Sequence, residues 1–132
     1  MRLISLALMS TMAAGCTMMP PPAAPDLRGQ SRLAEMLAGK VAGPPQRCLQ
    51  SDRADDMIPI DATTIAYRDG RTTWVNHVQG SCAGLAMGNT LVTKPFGFSG
   101  PCAGDIAHVV EPASGMMTGS CTFGEFVPYR RP

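Results

Sequence analysis

The stretch Gly80-Ser81-Cys82-Ala83-Gly84 fits G-x-C-x-G, the pattern of a nucleophile elbow, and His77 and His108 are the two histidines that could act as its base. An elbow sets the attacking residue on a sharp turn between a strand and a helix, so that its reactive atom stands clear of the sheet. The residues after Cys82 include Gly88 and make a poor helix, and a cysteine in an oxidising compartment is bonded rather than nucleophilic. The same histidines, with Asp105, Glu111 and Asp55-Asp56, are the available hard metal donors. No two histidines stand at ligand spacing and there is no C-x-x-C pair. Met18-Met19 and Met116-Met117 could offer thioethers to a soft metal, but one pair adjoins a candidate lipid anchor and the other falls in a Gly/Ser loop. Asp55-Asp56 reads as a turn or a helix-end cap. No glycine loop cradles phosphate, and no basic strip is interleaved with aromatics. The chain is therefore expected to carry no catalytic residue, no metal and no cofactor. A small-ligand or metal-binding module is the alternative kept beside a non-enzymatic reading. Trp74, His77, Phe96, Phe98 and His108 are left as a candidate binding surface; of Phe96, Phe98, Phe123, Phe126 and Tyr129, which could form an exposed patch, most are expected in the core.

The elements that position these residues begin with an export segment. Arg2, an apolar run from Leu3 to Ala14, and Ala13-Ala14-Gly15 leading into Cys16 form a secretory signal that ends in a lipobox, where the cysteine sulfur receives a lipid. The apolar run is shorter than the roughly 20 residues of a spanning helix. Residues 1–15 are thus expected to be removed, and residues 16–25 to be a lipidated cysteine with a proline-rich tether. Nine residues at about 3.1 Å each span about 28 Å, enough to hold a domain clear of a bilayer. Thr17 stands where a lipoprotein retained in the inner membrane usually carries Asp, so the expected address is the periplasmic face of the outer membrane.

Export fixes the chemistry of the remaining cysteines. Cys48, Cys82, Cys102 and Cys121 are an even number in a small exported domain, and two disulfides are expected. Spacing leaves three pairings open; Cys48–Cys121 enclosing Cys82–Cys102 is the favoured one. The formal charge is +1 and becomes zero without Arg2, so no electrostatic footprint for nucleic acid and no basic patch supplementing the anchor are expected. With 14 glycines and 12 prolines the chain should be rich in turns.

Residues 26–45 should form one short helix, about Ser31 to Ala38, and a linker, from the spacing of Leu27, Leu33, Met36 and Leu37 with Gly39 as the stop. Residues 46–132 should form the β-domain. Its clearest hairpin joins Thr63–Arg68 to Arg71–Val78 through Asp69-Gly70, which pairs Ile65 with Trp74 and Tyr67 with Thr72. Ile65, Tyr67, Trp74 and Val78 then share a core face, with Val75 and His77 on the opposite, solvent face. Further strands are expected at Thr90–Lys94, Ile106–Glu111 and Cys121–Val127. The fold class is all-β: a small antiparallel sandwich or partly open barrel of about five strands with one short N-terminal helix. Ser81-Cys82-Ala83-Gly84, Pro101-Cys102-Ala103-Gly104 and Ser120-Cys121-Thr122-Phe123-Gly124 echo one another as cysteines beside turn glycines.

Several segments taken together resemble a known family. These are Ala42-Gly43-Pro44-Pro45-Gln46-Arg47-Cys48, Trp74-Val75-Asn76 ahead of Cys82-Ala83-Gly84-Leu85, Pro101-Cys102-Ala103-Gly104-Asp105-Ile106, and Ser120-Cys121-Thr122-Phe123-Gly124-Glu125-Phe126-Val127-Pro128-Tyr129. The family consists of small exported proteins of sphingomonad-type alphaproteobacteria with a four-cysteine framework and no established activity, and the resemblance spans roughly residues 33 to 130. It implies an envelope location and supplies no catalytic residue. The combined expectation is a non-enzymatic lipoprotein that contacts the membrane through its anchor and binds or supports an envelope protein.

Overall fold

The computed structural model describes residues 24–53, 56–94 and 100–132. The expected signal, Cys16 and most of the tether lie outside those residues, as do Asp55, Phe96 and Phe98. The described chain runs α1 (Leu27–Leu37), β1 (Val41–Ala42), β2 (Met57–Pro59), β3 (Thr64–Asp69), β4 (Thr72–His77), β5 (Gln79–Ser81), β6 (Thr90–Thr93), β7 (Ile106–Val110), β8 (Met117–Thr122) and β9 (Phe126–Arg130). Nine strands form two antiparallel sheets, ordered β1-β9-β4-β3-β2 and β5-β8-β7-β6, and neither closes into a barrel. The fold is an all-β sandwich, with more and shorter strands than the five expected.

The hairpin forms as β3 and β4, but Asp69 pairs with Thr72 and Tyr67 with Trp74, so the two loop residues are Gly70 and Arg71 rather than Asp69 and Gly70. Gly70 has φ +56° and among the described residues no non-glycine has positive φ, the pattern of a turn that needs glycine at its first central position only. The displacement is two residues in the pairing, and side chains alternate with period two, so the faces survive. Ile65, Tyr67, Trp74 and Val78 do share the inter-sheet core, with Leu49, Leu85, Val109, Phe123 and Phe126. Tyr67 and Phe123 each pack a tilted ring against Phe126 at 5.9 and 5.8 Å. Such pairs add about 0.5–1.5 kcal/mol each beyond the area they bury.

The opposite face of β3 and β4 is not solvent at Val75. Helix α1 lies across it, and Leu33 packs with Ile58, Ile60, Ala66 and Val75 in a second core edged by Met36, Leu37 and Tyr129. Both faces of β3 are therefore covered, which is why Thr64, Ile65, Ala66 and Tyr67 are all buried without alternation. The helix starts four residues earlier than its apolar spacing suggested, because the Asp26 carboxylate accepts the Arg28 N–H at 3.0 Å and caps the first turn. It ends at Leu37, followed by Gly39 at φ +69°. Gly29 is buried inside it, and a Cβ there would overlap the carbonyl of Ile60. Glycine costs about 1 kcal/mol in a helix interior; here it permits the close approach of helix to sheet.

The expected strand Cys121–Val127 divides between the sheets: β8 ends at Thr122 in one and β9 begins at Phe126 in the other. The chain also changes sheets between β4 and β5, around Val78. Asn76 ties the two crossings together. Its fully buried side chain donates to Gly124 O (2.8 Å) and accepts from Gly124 N–H (3.1 Å). Met117, expected in a loop, is the first residue of β8.

All four cysteines are in disulfides, but the nested pairing is wrong: the bonds are Cys48–Cys102 and Cys82–Cys121. Cys48 faces Cys102 in an isolated antiparallel bridge, flanked by Leu49 N–H to Pro101 O (2.9 Å) and Ala103 N–H to Arg47 O (2.6 Å). On the other side of this segment Gln46 bridges to Phe126 of β9, so residues 46–49 close one flank of the sandwich. Cys121 pairs with Gly80 across β5 and β8, which brings Cys82, two residues on, to its side. The cysteine-glycine echo is real for two of its three copies: Gly84 (φ +85°) and Gly104 (φ +95°) turn the chain, while Cys121 lies within a strand and Gly124 has no positive φ.

Candidate functional site

Local backbone geometry settles the elbow. Cys82 is fully buried and its sulfur is bonded to Cys121, so it holds no thiolate. The residues after it, Leu85–Met87, make a single 3-10 turn stopped by Gly88 at φ +99°, and the strand-turn-helix frame of an elbow does not form. His77 is exposed at the end of β4, with Nδ1 3.4 Å from Thr64 Oγ1. His108 stands on β7 of the other sheet. The two histidines expected to share a surface are thus divided between the sheets. Among the described residues no group of three or more His, Cys, Asp or Glu is placed to hold a metal ion.

Trp74 leaves the candidate surface. It is fully buried in the inter-sheet core, because the hairpin register sets it opposite Tyr67 and beneath the second sheet. Its Nε1 has no hydrogen-bond partner among the described residues. Two guanidinium groups, of Arg53 and Arg130, approach its ring at 5.9 Å from the rim of the sandwich. Phe96 and Phe98 lie outside the described residues; Phe123 and Phe126 are core, as expected.

His108 keeps its place. The β6–β7 ladder sets Val92 opposite it, and period-two alternation puts Ile106, His108 and Val110 on the outer face of the second sheet. Across β8 a register shift at Val109/Val110 brings Met117 opposite Val110. Val92 (43% exposed), Ile106 (53%) and Met117 (61%) are exposed apolar side chains on this face, with Ser120 and Thr122 of β8 opposite His108 and Ile106. Val92, Lys94, Ile106 and His108 line a shallow cavity of about 240 Å³. The His108 Nδ1 is buried without a partner among the described residues.

A second feature has no counterpart in the sequence reading. Lys40, Arg71, Thr72, Arg130, Arg131 and Pro132 line an open cleft of about 690 Å³ at the turn end of the hairpin. The chain is close to neutral overall, yet four of its cations line this cleft. Residues 40, 71 and 130 are far apart in sequence. They converge because β9 lies between β1 and β4, so the approach to β1, the β3–β4 turn and the end of β9 share one edge. No local pattern signals this; strand order alone creates it.

Buried acidic groups serve the frame. Asp61 joins α1 to the start of β3. Burial pushes its carboxyl up, but the Thr63 N–H, Gln30 and the hydroxyls of Thr63 and Thr64 together outweigh that and hold it below the ordinary carboxylate value. Asp105 accepts the Cys102 N–H at 2.9 Å and fixes the turn beside the disulfide. No helix among the described residues is long and apolar enough to cross a membrane. Comparison with family models, with curated proteins and with solved structures found no match to this chain.

Proposed function

We propose that this chain is a non-enzymatic envelope lipoprotein: a disulfide-stapled sandwich, tethered through lipidated Cys16 to the periplasmic face of the outer membrane, that docks an envelope protein on its second sheet. Membership of the exported four-cysteine family is part of the same proposal. The observation that carries it is the apolar outer face around Val92, Ile106, His108 and Met117. That sheet already buries its inner face in the core, and Val92, Ile106 and Met117 stand outside that core. Apolar side chains gathered on a small exported domain are a feature of binding surfaces. Two disulfides supply the stability that a chain with few aromatic residues would otherwise lack, and they suit an oxidising compartment.

Two measurements test this. The mass of the mature protein extracted from membranes should show a chain that starts at Cys16 and carries acyl groups; an unmodified Cys16 would overturn the anchor. A photo-crosslinking residue at Ile106 in intact cells should yield a discrete protein adduct, while one at the exposed Ala34 of α1 should not. No adduct, or equal adducts at both positions, would refute the docking face. A small-ligand reading is favoured by a different observation, the basic cleft.

A further inference from the structure

We infer that the cleft formed by Lys40, Arg71, Thr72, Arg130 and Arg131 is an anion site for a diphosphate group, either free or as the headgroup of a lipid. It gives the small-ligand reading a place and a chemistry, and it depends neither on lipidation of Cys16 nor on the second-sheet face.

Four like charges repel, and a nearly neutral chain has acidic residues enough to separate or pair them. None of the four has a carboxylate at ion-pair distance among the described residues; the two ion pairs there are Arg53–Asp69 (3.4 Å) and Arg68–Asp56 (3.9 Å). The donors are also held in part rather than loose. Arg130 donates through Nε to Thr72 Oγ1 (3.1 Å) and lies against the Trp74 ring, which leaves its terminal amino groups uncommitted by that bond. Lys40 donates to Thr73 Oγ1 (2.7 Å) with one of its three N–H bonds. Thr72 Oγ1 accepts from Arg130, so its own hydroxyl proton is free to donate outward.

The donor set selects the ligand class. Three guanidinium forks, an ammonium and a hydroxyl outnumber what one carboxylate can accept, since it offers two oxygens and one charge. Adjacent phosphates supply several oxygens and two or more charges, and guanidinium groups match phosphate geometry in bidentate fashion. A cleft of about 690 Å³ has room for such a group.

The test uses the soluble chain from residue 17 onward and, separately, the full lipidated protein. Titration calorimetry with inorganic pyrophosphate should give saturable binding that weakens with added salt and exceeds that of sulfate. Arg71→Gln lies in an exposed turn and should leave the melting temperature unchanged while weakening binding by about tenfold, the effect of losing one charged hydrogen-bonding partner. Arg130→Gln should weaken it likewise. Co-sedimentation of the soluble chain with vesicles containing diacylglycerol pyrophosphate but not with phosphatidylcholine vesicles, lost in Arg71→Gln, would identify a lipid headgroup; pyrophosphate binding alone would identify a free ligand. Absence of binding to both probes would overturn the site. Binding that Arg71→Gln and Arg130→Gln leave unchanged would do the same, as would tighter binding of an oligoglutamate peptide than of pyrophosphate.

Discussion

Asn76 sits where two chain crossings between the sheets meet, and its buried amide holds them together. Removing its side chain leaves the half-buried N–H and C=O of Gly124 without this partner and frees the β8–β9 connection. Asn76→Ala should therefore lower the unfolding free energy by about 2–4 kcal/mol, read from urea denaturation. A loss below about 1 kcal/mol would show that water replaces the amide. Asp61 makes a separate, pH-dependent contribution. Its folded pKa lies below its unfolded one, so the stability it adds is present above about pH 4 and is lost as pH falls further. Asp61→Asn should flatten the acid limb of the stability profile, so that the neutral plateau stands less far above the base of that limb. Tyr67 has the opposite sense: burial pushes its phenol up, so its stabilising effect holds below about pH 10 and fades under stronger alkali.

At the scale of elements, helix α1 and the first sheet meet at a contact that admits only glycine. Gly29→Ala would drive a methyl group into the Ile60 carbonyl and force the helix outward, uncovering Leu33, Ile58 and Val75. A loss of about 2–4 kcal/mol is expected, with earlier proteolysis at the N-terminal side of the domain. Alanine usually strengthens a helix, so a neutral or stabilising result would mean that α1 docks more loosely than this. These elements also show what could be read from residues alone. The β3–β4 hairpin was legible because Asp69-Gly70 stands between β-branched runs, and its core face was correct despite a displaced turn, since a shift of two keeps alternation in phase. Strands β6 and β7 were legible for the same local reason. The split of Cys121–Val127 was not, because an uninterrupted extended chain gives no sign that Gly124 carries it past the His77 backbone from one sheet to the other. His108 could be picked out by alternation on its strand, whereas the basic cleft required strand order, which no window of sequence contains.

For the whole molecule, the two disulfides interleave: Cys48 joins Cys102 while Cys82 joins Cys121, spanning 54 and 39 residues. Each loop is worth about 4 kcal/mol on the chain-entropy model. Cys82 and Cys121 are also buried in the main core, whereas Cys48 is exposed. Replacing Cys82 and Cys121 by alanine should therefore cost more than replacing Cys48 and Cys102, seen as a larger fall in the guanidinium midpoint. Equal losses would indicate that packing around Cys82 adds nothing. The interleaving reaches beyond folding energy to survival among proteases. A single peptide-bond scission anywhere between Cys48 and Cys121 leaves two fragments still joined through sulfur, so a nicked molecule migrates as one band without reductant and as two with it.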